Sequence, residues 1–238
     1  MPQDQMEKPD NSNSIEIKKL IGYLSSFVSA DRMLKFDRVL KNRTRHLTIV
    51  LEDIYQPHNA SAVLRSCDCF GIQDVHIVEN RNKYSVNQDI ALGSSKWLTQ
   101  IKYKDYANNT LECFKKLKQQ GYKIIATSPI QNNNLIDELE VKEKTALVFG
   151  TELTGISKEV TDNADGFVSI PMFGFTESFN ISVSAAICLH TLINKIHRSS
   201  FQWRLLPEEQ DQVILQWLRN SIQKSELIEL EYYKRKIV

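Results

Sequence analysis

Three segments of the sequence place polar residues just where an apolar run has ended. The first is Glu52-Asp53-Ile54-Tyr55-Gln56-Pro57-His58-Asn59, with Arg65 six residues further on. Asn59 stands where the next helix begins, so its amide can cap that helix. Arg65 lies between Leu64 and Cys67 on a segment of helical pattern. A guanidinium in that setting needs an anionic partner, either a structural carboxylate or a substrate. The second segment is Phe149-Gly150-Thr151-Glu152-Leu153-Thr154-Gly155. A strand that ends on glycine lets backbone approach a ligand closely, while Glu152 can cap the helix that follows. The third, Ile170-Pro171-Met172-Phe173-Gly174-Phe175-Thr176-Glu177-Ser178-Phe179-Asn180, is an apolar loop that ends on a cap residue. Such a loop forms either a pocket for an aromatic ligand or a buried linker.

Several chemistries are absent. There is no Gly-x-Gly-x-x-Gly and no Gly-Lys-Ser/Thr loop, so neither a dinucleotide fingerprint nor a phosphate loop is present. The four cysteines include no Cys-x-x-Cys pair, and no histidines stand at zinc spacing, so no metal is expected and the thiols read as buried and reduced.

The elements that must position these segments alternate. Short apolar strands are expected at 47–52, 74–79, 123–128, 145–149 and 167–171, with helices at 60–70, 110–120, 157–164 and 181–197. That alternation calls for an α/β fold, a parallel sheet covered by helices on both faces, whose ligands bind beyond the strands' carboxyl ends. Asn109-x-x-Glu112 has the form of a capping box, and Gly71 and Gly121 stand where helices stop. Residues 1–14 are polar and expected to be disordered; 15–45 form a helical, partly basic extension; 46–198 form the α/β domain; 199–238 form a helical tail. Pro207 opens one helix of that tail, and another spans about 224–236.

With 238 residues and a net charge of +1, overall charge does not announce a nucleic-acid partner. Its distribution does more. Arg32, Lys35, Arg38, Lys41, Arg43 and Arg45 face only Asp37 in that stretch. Such a run is either a solvated helix face or a phosphate-contacting surface, for which Arg38, Lys41, Arg43 and Arg45 are the candidates. No apolar run is long enough to cross a membrane and the first residues do not resemble a signal peptide, so the cytoplasm is the expected location.

Taken in order, the three segments resemble the signature motifs of the SpoU family of RNA 2′-O-methyltransferases, within the knotted SPOUT superfamily. The residues that carry the resemblance are Pro57-His58-Asn59 with Ala62 and Arg65; Phe149-Gly150-x-Glu152 with Gly155; and Ile170-Pro171-Met172 with Ser178-x-Asn180-x-Ser182-Val183-Ser184-Ala185. Within the family the chain is most similar to the tRNA guanosine-2′-O-methyltransferases that act at position 18 of the D-loop. Rivals are methylation of rRNA or another tRNA position and, in a different class, a non-catalytic RNA-binding protein that keeps the fold. The resemblance implies S-adenosylmethionine as methyl donor, a C-terminal trefoil knot and a homodimer. It implies Arg65 as base or electrostatic stabiliser, with Asn59, Glu152, Ser178 and Asn180 orienting it and the ribose. It also implies a cofactor held around Thr127, Gly150, Ile170, Met172 and Phe179.

Overall fold

The computed structural model describes residues 11–85, 87–129, 134–151 and 154–236. The chain divides into two compact units, Asn42–Arg204 and a helical unit made of Met1–Lys41 with Leu205–Val238. The helical unit opens with α1 (Asn11–Ser25) and α2 (Ala30–Leu40). Residues 11–14, expected to be disordered, instead form the first turn of α1. Weak helix formers are recruited there because the helix buries Leu20 and Leu24 further along, and that burial outweighs local propensity. Residues 1–10 lie outside the described residues.

The core unit runs β1 (Leu47–Glu52), α3 (Pro57–Cys69), β2 (Asp74–Val78), α4 (Gln88–Ala91), β3 (Thr99–Tyr103), α5 (Asn109–Gln119), β4 (Lys123–Thr127), β5 (Thr145–Phe149), α6 (Lys158–Asn163), β6 (Gly166–Val168) and α7 (Ile181–His197). The strands form one parallel sheet in the order β3-β2-β1-β5-β4-β6. Alternate residues of each strand face opposite sides, and both sides are apolar. Ile49, Leu51, Ile77, Leu147 and Phe149 join the α3 and α7 side chains in one cluster. Val50, Val78, Ile124, Ala126 and Val148 join Cys113, Phe114 and Leu117 of α5 and Val160 of α6 in the other. Helices therefore cover both faces, as expected.

β3 escapes a reading by apolar runs because it is an edge strand. It alternates Gln100 and Lys102 with Ile101 and Tyr103, of which only Tyr103 is fully buried. β6 ends at Val168 because Ser169 leaves the sheet to bridge Leu135. The α5 cap lies one residue earlier than the motif suggested: Asn108 accepts the Leu111 N–H at 2.9 Å. Asn109 instead donates to the Glu79 carbonyl at 2.8 Å. Gly71 and Gly121 do end α3 and α5, at φ 78° and 81°, where a side chain would be strained.

The helical unit closes with α8 (Pro207–Ser221) and α9 (Ser225–Lys236). The two terminal extensions thus make one unit, since α8 and α9 pack on α1 and the Phe36 ring lies 5.3 Å from that of Trp217. The core unit in turn begins at Asn42 and ends at Arg204 rather than at 46 and 198. Thr44 explains the shift: its hydroxyl donates to the Trp203 carbonyl at 2.5 Å and ties the two borders together.

Candidate functional site

The basic run is the first expectation the structure divides. α2 stops at Leu40, so Arg43 and Arg45 are not on its face. Arg43 is 1% exposed; it pairs with Asp68 and donates to the Ile72 carbonyl at 2.9 Å. Arg45 pairs with Asp74 at 2.9 Å. Both guanidiniums fasten the amino end of the core and neither is placed to meet a phosphate. Burying a charge is tolerated only with such partners, and Asp68 and Asp74 are too far away in sequence to have been foreseen. Arg38 and Lys41 remain exposed.

At the opposite, carboxyl edge of the sheet a cleft of about 1000 Å³ opens between the loops that leave β4, β5 and β6. Every residue expected to hold a cofactor lines it: Thr127, Gly150, Ile170, Met172 and Phe179, with Ser178 and Asn180 beside them. The Thr127 hydroxyl is committed to the Val148 carbonyl at 2.9 Å, so that residue presents its backbone. The loop after β5 closes on itself, with Thr151 N–H donating to Gly155 O at 2.9 Å and Gly155 N–H returning to Thr151 O at 3.1 Å. Gly150 permits this closure. A Cβ there would stand 2.2 Å from the Gly155 oxygen and 2.4 Å from the Ile156 nitrogen, both backbone atoms that cannot move aside. Glu152 lies outside the described residues. Cys188 also lines the cleft, but burial pushes its thiol up to about 12, so it stays protonated and is no nucleophile.

Asn180 caps α7, its carbonyl oxygen accepting from the Ser182 N–H at 2.9 Å and the Ser182 hydroxyl at 2.6 Å. Its amide nitrogen donates to Asn59 Oδ1 at 3.1 Å, and Asn59 Nδ2 donates to Gln56 Oε1 at 3.1 Å. Asn59 is therefore no cap: α3 starts at Pro57, with Gln56 preceding it, because proline at the first helical position is already set for the turn. Instead Asn59 and Asn180 join the first motif to the third. Arg65 lies on the exposed side of α3, and among the described residues no carboxylate pairs with it. The structural ion-pair reading of Arg65 thus finds no partner there.

Sequence reasoning missed the two carboxylates that organise this edge. Glu52, 2% exposed at the end of β1, accepts from the Thr110 hydroxyl at 2.6 Å, the Ser157 hydroxyl at 2.8 Å and the Ser157 N–H at 3.1 Å. It thereby fixes the start of α5 and the far end of the loop that begins at Gly150. Asp53, at φ 53°, accepts the N–H groups of Asn80, Arg81 and Asn82 at 2.6, 2.9 and 3.3 Å. Acidic residues at a strand end were the visible signal, but their partners lie 27 to 105 residues away. Among the described residues no group of three His, Cys, Asp or Glu side chains is placed to hold a metal ion. No helix among them is long and apolar enough to cross a membrane.

The SpoU rRNA methylase family profile matches residues 46–190. A Borreliella burgdorferi protein named tRNA (guanosine(18)-2′-O)-methyltransferase is 41% identical over 90% of this chain and 96% of its own length. The crystal structure of the Aquifex aeolicus TrmH/SpoU tRNA modifying enzyme superposes with a TM-score of 0.73 at 27% identity, covering 82% of this chain and 98% of that one. The SpoU methyltransferase AviRb of Streptomyces viridochromogenes, solved with AdoMet, shares the fold at 18% identity and a TM-score of 0.56, over 68% of this chain and 62% of that one.

Proposed function

The chain belongs to the SpoU methylase family, and on that premise we propose that it methylates the 2′-hydroxyl of guanosine 18 in tRNA, with S-adenosylmethionine as donor. The observation that carries the reading is the cleft at the carboxyl ends of β4, β5 and β6, joined through Asn180 and Asn59 to the helix that bears Arg65. The cleft suits the donor: backbone, apolar side chains and small hydroxyl residues line it, Gly150 keeps a wall thin, and burial holds the Cys188 thiol protonated. Thr127, Gly150, Ile170, Met172 and Phe179 would hold the adenosyl portion. When bound, the donor supplies an electrophilic methyl on a sulfonium. What remains for the protein is to align a ribose hydroxyl and remove its proton.

The amides of Asn59 and Asn180 hold each other and so fix where α3 stands against the third motif. Ser178, on the cleft wall beside Asn180, would add a hydroxyl near the ribose, and Glu152 is the further orienting residue that the second motif offers. Arg65 faces the ribose either as base or as fixed positive charge. A guanidinium rarely gives up its proton, so the charge role asks less of the residue.

Two further features belong to this reading. The loop before α7 leaves Phe173 and Phe175 fully exposed, with Phe179 and Val183 nearly half exposed, and a second copy of the chain would cover them. In such a homodimer the copies would complete each other's site, which accounts for Arg65 lying outside the cleft of its own chain. Ser169 also runs beside the loop after β4, with Ile136 N–H donating to Ser169 O at 2.9 Å, a contact that supports the trefoil knot expected of the family without tracing it. The cytoplasm is the location in keeping with a tRNA substrate.

Full-length protein, tRNA transcript and labelled donor test the reading, with ribose methylation mapped by nucleotide. Label at guanosine 18 is the expected result; label at another nucleotide or in rRNA alone, or none, overturns it. Arg65→Ala should fold and bind donor yet lose about a hundredfold in transfer, the order expected for a lost base or positioned charge. Arg65→Lys separates the roles: recovered activity means a point charge, and no recovery means that the planar guanidinium is needed. Full activity in Arg65→Ala refutes the assignment.

A further inference from the structure

On the β2 and β3 side of the same edge, Asp53 does more than end a strand. A non-glycine residue at φ 53° costs about 1–2 kcal/mol, so something must hold it there. Three N–H groups from Asn80, Arg81 and Asn82 converge on one oxygen of its side chain, and Asn82 Nδ2 donates back to its carbonyl at 2.8 Å. The loop after β2 is therefore tied down at Asn80, Arg81 and Asn82, next to Lys83. The parallel pairing of β2 with β3 brings Lys102 opposite Ile77 and sets Lys104 just beyond the strand end. Lys102 lies over the Tyr84 ring at 5.3 Å, which joins β3 to the loop after β2.

All four cations are exposed, and among the described residues none has a carboxylate within ion-pair distance. Three lysines of α5 and α6 differ: Lys116 pairs with Glu112 at 3.6 Å, Lys118 with Asp165 at 3.0 Å, and Lys158 with Asp162. Only Glu79 and Asp105 offset the four cations in segments 79–85 and 102–106, in a chain of net charge +1. With strands about 4.8 Å apart, this edge stands two to three strands from β5, about 10–15 Å from the cleft. Unpaired cations on a preorganised backbone, beside a site that takes one nucleotide, suit the phosphates of its neighbours.

We infer that Arg81, Lys83, Lys102 and Lys104 form a phosphate-docking surface for the RNA strand that flanks the methylated nucleotide. The inference rests on the tRNA reading above. The test uses full-length protein carrying all four changes to alanine, with tRNA affinity measured by fluorescence anisotropy across salt concentrations. Loss of up to four phosphate contacts should lower the slope of log affinity against log salt by up to about 3–4 units, at about 0.7 to 0.9 per contact. Affinity at low salt should fall at least tenfold, with donor affinity by calorimetry unchanged. Asp53→Ala, which keeps the cations but frees their loop, should weaken tRNA binding several-fold with little change in slope. An unaltered slope and affinity in the fourfold variant, with methylation intact, overturns the docking surface and leaves the enzyme reading standing. Wild-type protein that neither methylates nor binds tRNA overturns both.

Discussion

The two halves of the sheet's carboxyl edge are fastened by opposite means. Beyond β1, β2 and β3 the loops hang on carboxylates: Glu52 holds Thr110, and reaches across to Ser157 at the far end of the loop after β5, while Asp53 holds three successive N–H groups. Beyond β4, β5 and β6 they close backbone to backbone, Thr151 on Gly155 and Ile136 on Ser169, and the prominent side chains are exposed phenylalanines. Charge-assisted bonds are directional and about twice as strong as neutral ones, so they suit an edge that must present charged groups at fixed positions. A pocket for a flat heterocycle has the other need, thin walls and few competing side chains. On the reading proposed above, the polar half would meet substrate and the backbone half would hold cofactor.

The largest effect expected of this division is at Gly150. A methyl there meets the Gly155 oxygen at 2.2 Å, and the loop can accept it only by opening. Gly150→Ala should lower donor affinity by about a hundredfold or more, the scale of several kcal/mol of lost contacts and strain. Thermal unfolding should shift far less, because the bonds of Glu52 to Thr110 and of Asp53 to the loop after β2 do not run through Gly150. Donor binding within a few-fold of wild type by calorimetry would show that the backbone closure does not build the pocket.

Acid should act on the other half. His76 of β2 is buried, and desolvation lowers its pKa to about 4 from 6.5. Its Nδ1 lies 3.0 Å from the Tyr103 hydroxyl, whose pKa burial raises, so both groups are neutral when folded. The unfolded imidazole takes a proton first as pH falls. Stability from this group is thus complete above about 6.5 and is lost as pH falls towards 4, by at most about 3 kcal/mol. Amide exchange in β2 and β3 should quicken in that window before that in β4 and β5. His76→Leu should unfold with a flatter dependence on pH; an equal dependence would remove His76 as the cause.

Much of the backbone half was legible in the sequence, and the reason is local. Gly150, Ile170, Met172 and Asn180 line the cleft where the chain leaves a strand or enters a helix, so neighbouring residues reveal them. The polar half was not. Glu52 works through Ser157, 105 residues on, and Asp53 through Asn80, 27 residues on, separations no periodicity encodes. The same blindness misassigned Arg43, whose partner Asp68 becomes a neighbour only when α3 folds back along β1. β3 was missed because its one buried residue, Tyr103, forms no apolar run.

The smallest effect expected lies outside both halves, on α2. Arg38 and Lys41 are the exposed remainder of the basic run, in the helical unit, and each can add a phosphate contact. Changing both to alanine should lower the salt slope of tRNA binding by about 1.4 to 1.8 units and weaken affinity several-fold, without touching donor binding. The comparison with the edge cations is what gives this number meaning. If the α2 pair and the Arg81 group act on the same strand of RNA, their slope changes should add, because contacts made at separate phosphates release separate counterions. If the slope is unchanged in the α2 variant, α2 is a solvated face. RNA reading would then belong to the carboxylate-fastened half alone.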